Sequence, residues 1–317
     1  MNVLVTGGTG YLGQAIVRAL AKQGHSPTVF ARRATASPGL PGACLNGDVR
    51  DHAAVRAAVR GMDAVIHTAA LVSVWRKDPA DFDRVNVGGL ETVIDVCASY
   101  GTPRLVVTSS FLALPPQGQS RPLDANPYQR SKVRAREVAR MAVSRGLPLV
   151  TITPGVIYGP GIDSEGNLVG RLVRDHLAGR LPGIIGADRT WSFSFIDDVA
   201  DAHVRAMTQG EAGADYSAGG ENAPQVRAFE IVRELTRRPL PRRIPASVAF
   251  LLGLADEVRS HGGSTPRLTR GTARILAHDW PMDSGRTIKE LSYRMTPLAT
   301  GIRAMLTQPF QDCASNE

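Results

Sequence analysis

Residues Val5–Leu20 read VTGGTGYLGQAIVRAL, and the interpretation of this stretch decides the fold. The β-branched run NVLVT leads into a turn with glycines at Gly7, Gly10 and Gly13, and a helix-forming run follows at once. Glycine permits a tight turn, lets the backbone approach a pyrophosphate and allows a helix to pack close on a strand. The helix N-terminus adds unpaired N–H groups and a partial positive charge. A glycine triplet alone is weak. Between a predicted strand and a predicted helix it reads as a phosphate-binding turn presented by Gly7, Gly10, Tyr11, Leu12 and Gly13.

Working outward, short β-branched runs alternate with longer amphipathic segments. Strands are expected at PTVFA (27–31), AVIHTA (64–69), RLVVTSS (104–110) and LVTITPG (149–155). Helices are expected at Gln14–Gln23, 52–61, Asn86–Ser99, Tyr128–Ser144 and Leu168–Ala178. Strands alternating with helices require crossovers and a parallel sheet covered on both faces, so the fold class is α/β, doubly wound. After Gly155 the loops become rich in Gly and Pro, as in YGPGIDSEGN (158–167), which suits a substrate lobe at the carboxyl ends of the strands. SFSFIDDVADAHVRAM and DYSAGG then read as a strand leading into a helix, followed by another strand, so the chain is expected to revisit the sheet. The expected division is a dinucleotide-binding domain of residues 1–155 and about 190–220, with a smaller C-terminal lobe of about 156–189 and 221–317.

The chain has 317 residues, 43% hydrophobic and 21% charged, which bounds it to a globular class. The net charge of +8 comes almost wholly from arginine, scattered singly or in pairs without interleaved aromatics, so no nucleic-acid partner is expected. Cys44, Cys97 and Cys313 lie far apart with no metal-binding spacing, which suits a reducing cytoplasm. The first predicted strand begins at Asn2, so no signal peptide is expected. No integral membrane segment is expected either. The apolar stretch VAFLLGLA (248–255) is too short to span a bilayer and is read as a buried helix beside a substrate pocket, with a peripheral membrane contact as the alternative.

The second predicted strand ends in VFARRA (29–34), with Arg32 and Arg33 where an acidic residue would hold a ribose 2′-hydroxyl. A guanidinium fork suits a 2′-phosphate, so NADP(H) is favoured over NAD(H). GDVRD (47–51) places Asp48 and Val49 where an adenine edge could be met, although Asp48 taken alone reads as a helix cap.

The segments TGGTGYLG, GDVRD, HTAA, RVNVGGLETVIDVC, VVTSS, YQRSK, PGVIYGPG and FIDDVADAH occur in an order that resembles the extended short-chain dehydrogenases/reductases. That group holds NAD-dependent epimerases and dehydratases, 3β-hydroxysteroid dehydrogenases and dihydroflavonol-4-reductase-like enzymes. The late MDSGRTIKELSYRMTPLATGIR is similar to the group's usual ending, so the likeness spans nearly the whole chain. It implies a Rossmann fold, with Tyr128 and Lys132 as the YxxxK pair and Ser110 as the matching serine; Ser109 is the neighbouring alternative. It further implies cofactor contacts from Ala69, Ala70, Thr108, Pro154 and Val156, and a bond from Lys132 to the nicotinamide ribose. The chemistry agrees. A carbonyl receiving hydride builds negative charge on oxygen and needs a proton donor within reach. Spacing of four residues puts an ammonium on the same helix face as the phenol, where its charge favours the phenolate. Asn86 and His67 are read as structural hydrogen-bonding residues.

Departures from the family pattern narrow the chemistry. FLALPP follows Ser110 without the Asp-Glu pair of dehydratases, so water loss is disfavoured. Trp191 stands where epimerases carry a diphosphate-binding arginine, with Arg189 close by, while Asn167-Leu168 resembles their nucleotide-contacting stretch. The connection from Ser110 to Tyr128 is shorter than is usual in the family and holds Pro115 and Pro116, which are expected to widen or reshape the pocket mouth, and Trp75 and Trp191 are expected near the pocket, suiting an apolar or cyclic substrate. The resulting expectation is an NADP(H)-dependent reductase or dehydrogenase acting on a small-molecule carbonyl/alcohol pair. The alternatives are a nucleotide-sugar epimerase using the same three residues and an NADP-sensing regulator without turnover. A homodimer is left open.

Overall fold

A computed structural model of the chain describes residues 1–37, 39–102, 104–260 and 265–308; Cys313 lies outside the described residues. Seven parallel strands form the central sheet: β1 (Asn2–Thr6), β2 (Ser26–Ala31), β3 (Ala43–Asn46), β4 (Ala64–His67), β5 (Leu105–Thr108), β6 (Leu149–Pro154) and, much later in the chain, β10 (Asp215–Ala218). Their spatial order is β10-β6-β5-β4-β1-β2-β3, a Rossmann order in which the direction of winding reverses between β1 and β4. Strand periodicity divides the apolar residues between the faces: Val3, Val5, Ile66 and Val106 pack on one side, while Leu4, Val65, Leu105 and Val107 pack on the other.

Helices α1 (Tyr11–Lys22) and α7 (Ile196–Gln209) cover the first face. Helices α2 (His52–Val59), α4 (Gly89–Tyr100) and α5 (Pro127–Ser144) cover the second, with the one-turn α3 (Ala80–Asp83) leading into α4 through a π-helical turn at Arg84–Gly88. Asp51 caps α2 by accepting from the amides of Ala53 and Ala54, so the helix cap in GDVRD is Asp51 rather than Asp48.

A second apolar core gathers outside the sheet. It is built on β7 (Val156–Tyr158), β9 (Thr190–Phe195) and β11 (Glu221–Pro224), which form a three-stranded sheet. Helices α6 (Leu168–Leu177), α8 (Val226–Thr236) and α12 (Leu298–Thr307) pack against it. The short strands β8 (Ile184–Ile185) and β12 (Arg243–Ile244) pair beside this core. Between β12 and α12 the chain forms α9 (Ala246–Ser260), α10 (Arg270–Leu276) and α11 (Gly285–Leu291).

One expectation fails here. The stretch 248–255 lies in α9, as a helix, but it is not buried: Leu251 is 64% exposed and Leu252 51%. The only residues of α9 that are buried are Ala249 and Gly253, because the helix is seamed to its neighbour along a strip of small residues. Among the described residues no helix is long and apolar enough to cross a membrane.

Candidate active site

The turn after β1 closes tightly. Gly7 has φ of +71°, and the Gly10 amide donates to the Gly7 carbonyl at 2.9 Å. A Cβ on Gly13 would stand 2.1 Å from that same carbonyl oxygen. Gly10 is the N-cap of α1 and supplies no side-chain cap, so the first amides of the helix remain to meet an anion. A Cβ on Gly7 would lie 2.6 Å from the Cα of Ala69, which brings the ends of β1 and β4 together at the reversal point; Ala70 follows. These features fit a dinucleotide pyrophosphate. Tyr11 and Leu12 face inward, the Tyr11 hydroxyl donating to the Gly159 carbonyl at 3.0 Å, so both can offer only backbone to a phosphate.

Arg32 and Arg33 follow β2 and are exposed. Asp48 shares their rim. Its carboxylate is gripped by Arg50 at 2.6 and 3.0 Å, and this bond, assisted by the field of Arg32, holds it below the usual aspartate range. Asp48 is thus an ion-paired anion in which Arg50 competes with any adenine contact. Val49 is buried against Gly89.

Ser110, Tyr128 and Lys132 are carried by two neighbouring elements. Ser110 follows β5 and caps a short 3-10 turn by accepting from the Leu112 amide at 3.2 Å. Pro127 opens α5 behind its N-cap Asn126, which places Tyr128 in the first turn and Lys132 one turn on. Gln129, fully buried, ties that turn in place. It donates to the Leu112 carbonyl at 3.1 Å and accepts from the Ala125 amide at 3.1 Å. The sequence reading missed this strut; its one sign was an uncharged polar residue within an Arg-rich helix. Asn86 adds a second tie, donating to Ser131 at 2.8 Å while its amide group also pairs with the backbone of Leu71.

Burial pushes the Tyr128 phenol up to about 12, and the nearby Ser110 hydroxyl works in the opposite direction. Ser109 differs: its hydroxyl is buried without a partner among the described residues. Burial also lowers Lys132 to about 8. His67, bonded to Thr6 at 2.9 Å, is lowered to about 3 by burial and by Lys132, so it stays neutral beside the ammonium. His67, Asn86, Thr108, Ser109 and Lys132 line a cavity of about 20 Å³, room for a single water. Thr108 pairs its hydroxyl with His203 at 2.9 Å. Pro154 ends β6, and Val156 begins β7 with 5% exposure.

The depressed value of Lys132 has a measurable consequence. Below about pH 8 the folded chain bears the whole cost of a buried charge, and that cost fades as pH rises toward the ordinary lysine value of 10.5. Lys132→Met is expected to stabilise the cofactor-free protein at pH 7 by on the order of 3 kcal/mol, with the gain gone above pH 10.5. Urea unfolding at both pH values checks this, and a variant no more stable than the parent at pH 7 contradicts it.

The expected aromatic wall is placed differently. Trp191 is 3% exposed and backs Phe111, with ring centroids 5.8 Å apart, while Trp280 meets the other side of Phe111 at 5.4 Å. Phe111, the residue after Ser110, is half-buried, so Trp191 supports the wall from behind. Trp75 is half-buried on a loop pinned by a bond from the Val74 amide to Glu165 at 3.2 Å. Arg189 is paired with Asp279 at 3.0 Å. Asn167 is consumed as the N-cap of α6, bonding Gly170 and Gly159.

A sequence model of the NAD dependent epimerase/dehydratase family matches residues 3–219. The chain belongs to that family. It is 31% identical over 319 residues to sterol demethylase protein B of Methylococcus capsulatus, covering 95% of each chain. It is 31% identical over 265 residues to the 2-alkyl-3-oxoalkanoate reductase of Stenotrophomonas maltophilia, covering 79% of each. Among solved structures, that of gox2253 superposes with a TM-score of 0.81 at 26% identity, covering 96% of both chains. UDP-glucose 4-epimerase of Thermotoga maritima superposes with 0.78 at 18% identity, over 97% of this chain and 98% of the epimerase, and so attests the fold alone. Family membership brings oxidoreductase or epimerase chemistry on a nicotinamide cofactor.

Proposed function

We propose that this chain is a cytoplasmic NADP(H)-dependent reductase or dehydrogenase acting on the carbonyl/alcohol pair of a small apolar or cyclic substrate. The observation that supports it most is that Ser110, at the end of β5, lies close enough to the Tyr128 phenol to act on its ionisation, with Lys132 one helical turn further along the same helix. In this reading the sheet domain seats the cofactor and the segments beyond β6 shape the substrate pocket.

The cofactor, when bound, supplies or accepts the hydride. The protein does the rest. At neutral pH the phenol is fully protonated, which is the form needed to give a proton to a carbonyl oxygen gaining charge. Ser110 donates to that same oxygen and fixes its position. Lys132 keeps most of its charge at pH 7 and lowers the cost of the phenolate left behind. His67 is neutral, so it does not add a second charge to this corner.

The apolar substrate reading is supported by Phe111 with its two tryptophans, and by the fates of Arg189 and Asn167. Asn167 is buried with both ends of its amide in internal bonds, and Arg189 is drawn into an ion pair with Asp279, which disfavours both as partners of a nucleotide diphosphate. A panel of ketones and alcohols scored by nicotinamide absorbance tests the reading. Turnover on UDP-sugars without net cofactor change would replace it with an epimerase.

For the cofactor, the exposed guanidinium of Arg32 directly after β2 supports a 2′-phosphate partner. Arg32→Ala is expected to weaken NADPH by roughly 10- to 100-fold, the worth of a charge-assisted bond, and to leave NADH within about twofold of the parent. Fluorescence titration with both nucleotides reads this directly, and equal affinities in the parent would remove the 2′-phosphate argument.

A further inference from the structure

We infer that α9 is a docking ridge for an anionic lipid surface, on which the enzyme lies without spanning it. The ridge is apolar and stands clear of the protein. Val248, Phe250, Leu251, Leu252, Leu254 and Val258 are 38–64% exposed, and Leu251 and Val258 reach 64% and 63%. Contiguous exposure of this kind is uncommon on a surface with no partner. The attachment seam is narrow: a Cβ on Gly253 would meet the Arg270 amide at 2.8 Å, so the small residues lie flush against the start of α10 while the large ones point away.

Charge selects the occupant. Residues 233–274 hold nine arginines and three acidic residues, a net +6 within a chain of net +8. The two carboxylates of α9 are turned back into the protein. Asp256 accepts from the amides of Arg267 and Leu268 at 2.6 and 3.1 Å, and Glu257 takes the amide and guanidinium of Arg270 at 2.8 and 2.7 Å. What remains outward is an apolar crest, and the chain segments leading into and out of α9 carry exposed arginines, including Arg237, Arg238, Arg242 and Arg267. That combination suits insertion to the depth of the acyl boundary with guanidinium groups at the phosphates. A second copy set ridge to ridge would bring like charges together. The helix has 15 residues, too few to cross a bilayer.

The ridge is coupled in space to the cleft. A Cβ on Gly271 of α10 would meet the carbonyl of Ala125 at 2.3 Å and the Cβ of Asn126 at 2.9 Å, the residues that open the helix carrying Tyr128. The docking inference does not depend on the catalytic reading, because lipid binding is measured without substrate.

The test is co-sedimentation of the full chain with phosphatidylcholine vesicles, with and without phosphatidylglycerol. The parent is expected to pellet with the mixed vesicles, less so at high salt. A Leu251→Gln/Val258→Gln variant, altered only at exposed positions, is expected to lose roughly tenfold or more in partitioning while keeping its unfolding midpoint and NADPH affinity. Each of these results would overturn the inference: a parent that stays in the supernatant at low salt, a variant that pellets like the parent, or a parent dimer that the variant dissociates. A variant whose only defect is a raised KM for a water-soluble ketone would overturn it too, by assigning the ridge to the substrate pocket.

Discussion

Tyr128→Phe is expected to lower kcat about a thousandfold while leaving NADPH affinity and thermal stability nearly unchanged. Loss of a positioned general acid typically costs between about 10²- and 10⁴-fold, and about a thousandfold is about 4 kcal/mol of transition-state stabilisation. The ring itself is well accommodated. It is half-buried, with Phe82 6.1 Å away centroid to centroid, and Pro127, Asn126 and Gln129 hold its helical turn without using the hydroxyl. What the substitution removes is one oxygen, the one whose ionisation Ser110 favours. Initial rates against a reducible ketone, with a parallel NADPH titration, separate the two properties. A variant within tenfold of the parent would place the proton donor elsewhere.

Gly13→Ala has the other large expected effect, and two opposing terms decide it. Alanine is the better helix former by about 1 kcal/mol. Its Cβ, however, would sit 2.1 Å from the Gly7 oxygen and 2.8 Å from the Cα of Gly8, all backbone atoms of the turn. Because backbone atoms have no rotamer by which to retreat, α1 must shift off the turn, at about 1–3 kcal/mol. Dinucleotide affinity should fall at least about a hundredfold, since the pyrophosphate is met by that helix end. Gly10→Ala is the graded control: its Cβ has only the Gly7 oxygen within reach, at 3.2 Å, and its φ of −75° is open to any residue. Equal losses at the two positions would disprove the steric account.

The strands were legible because parallel strands buried on both faces leave uninterrupted β-branched runs, as in NVLVT and LVTITP. The glycine turn was legible because its physical demand, a backbone with no room for Cβ, admits one residue type. Individual polar roles were harder. Asp48 and Asp51 are equally good caps on paper, and Arg50, which takes Asp48, separates them. Asn167 looked like a nucleotide contact because capping an α-helix and binding a ligand select the same side chain. Phe111, Trp191 and Trp280 are brought together by long connections, so their contact leaves no periodic trace. The exposure of α9 was invisible for a related reason. A run such as VAFLLGLA states that burial is favourable, and only the neighbours determine whether it is available.

The sheet's last strand arrives late. β10 pairs with β6 across the sixty intervening residues 155–214, which include all of α6 and β9. During synthesis the β10-facing edge of β6 has no hydrogen-bonding mate until Asp215–Ala218 leave the ribosome. Such non-local closure slows the final folding step and leaves nascent chains open to edge-to-edge aggregation. Soluble yield should therefore depend on growth temperature and on chaperone supply, and truncations ending before residue 218 should collect in inclusion bodies even though the dinucleotide turn is intact in them.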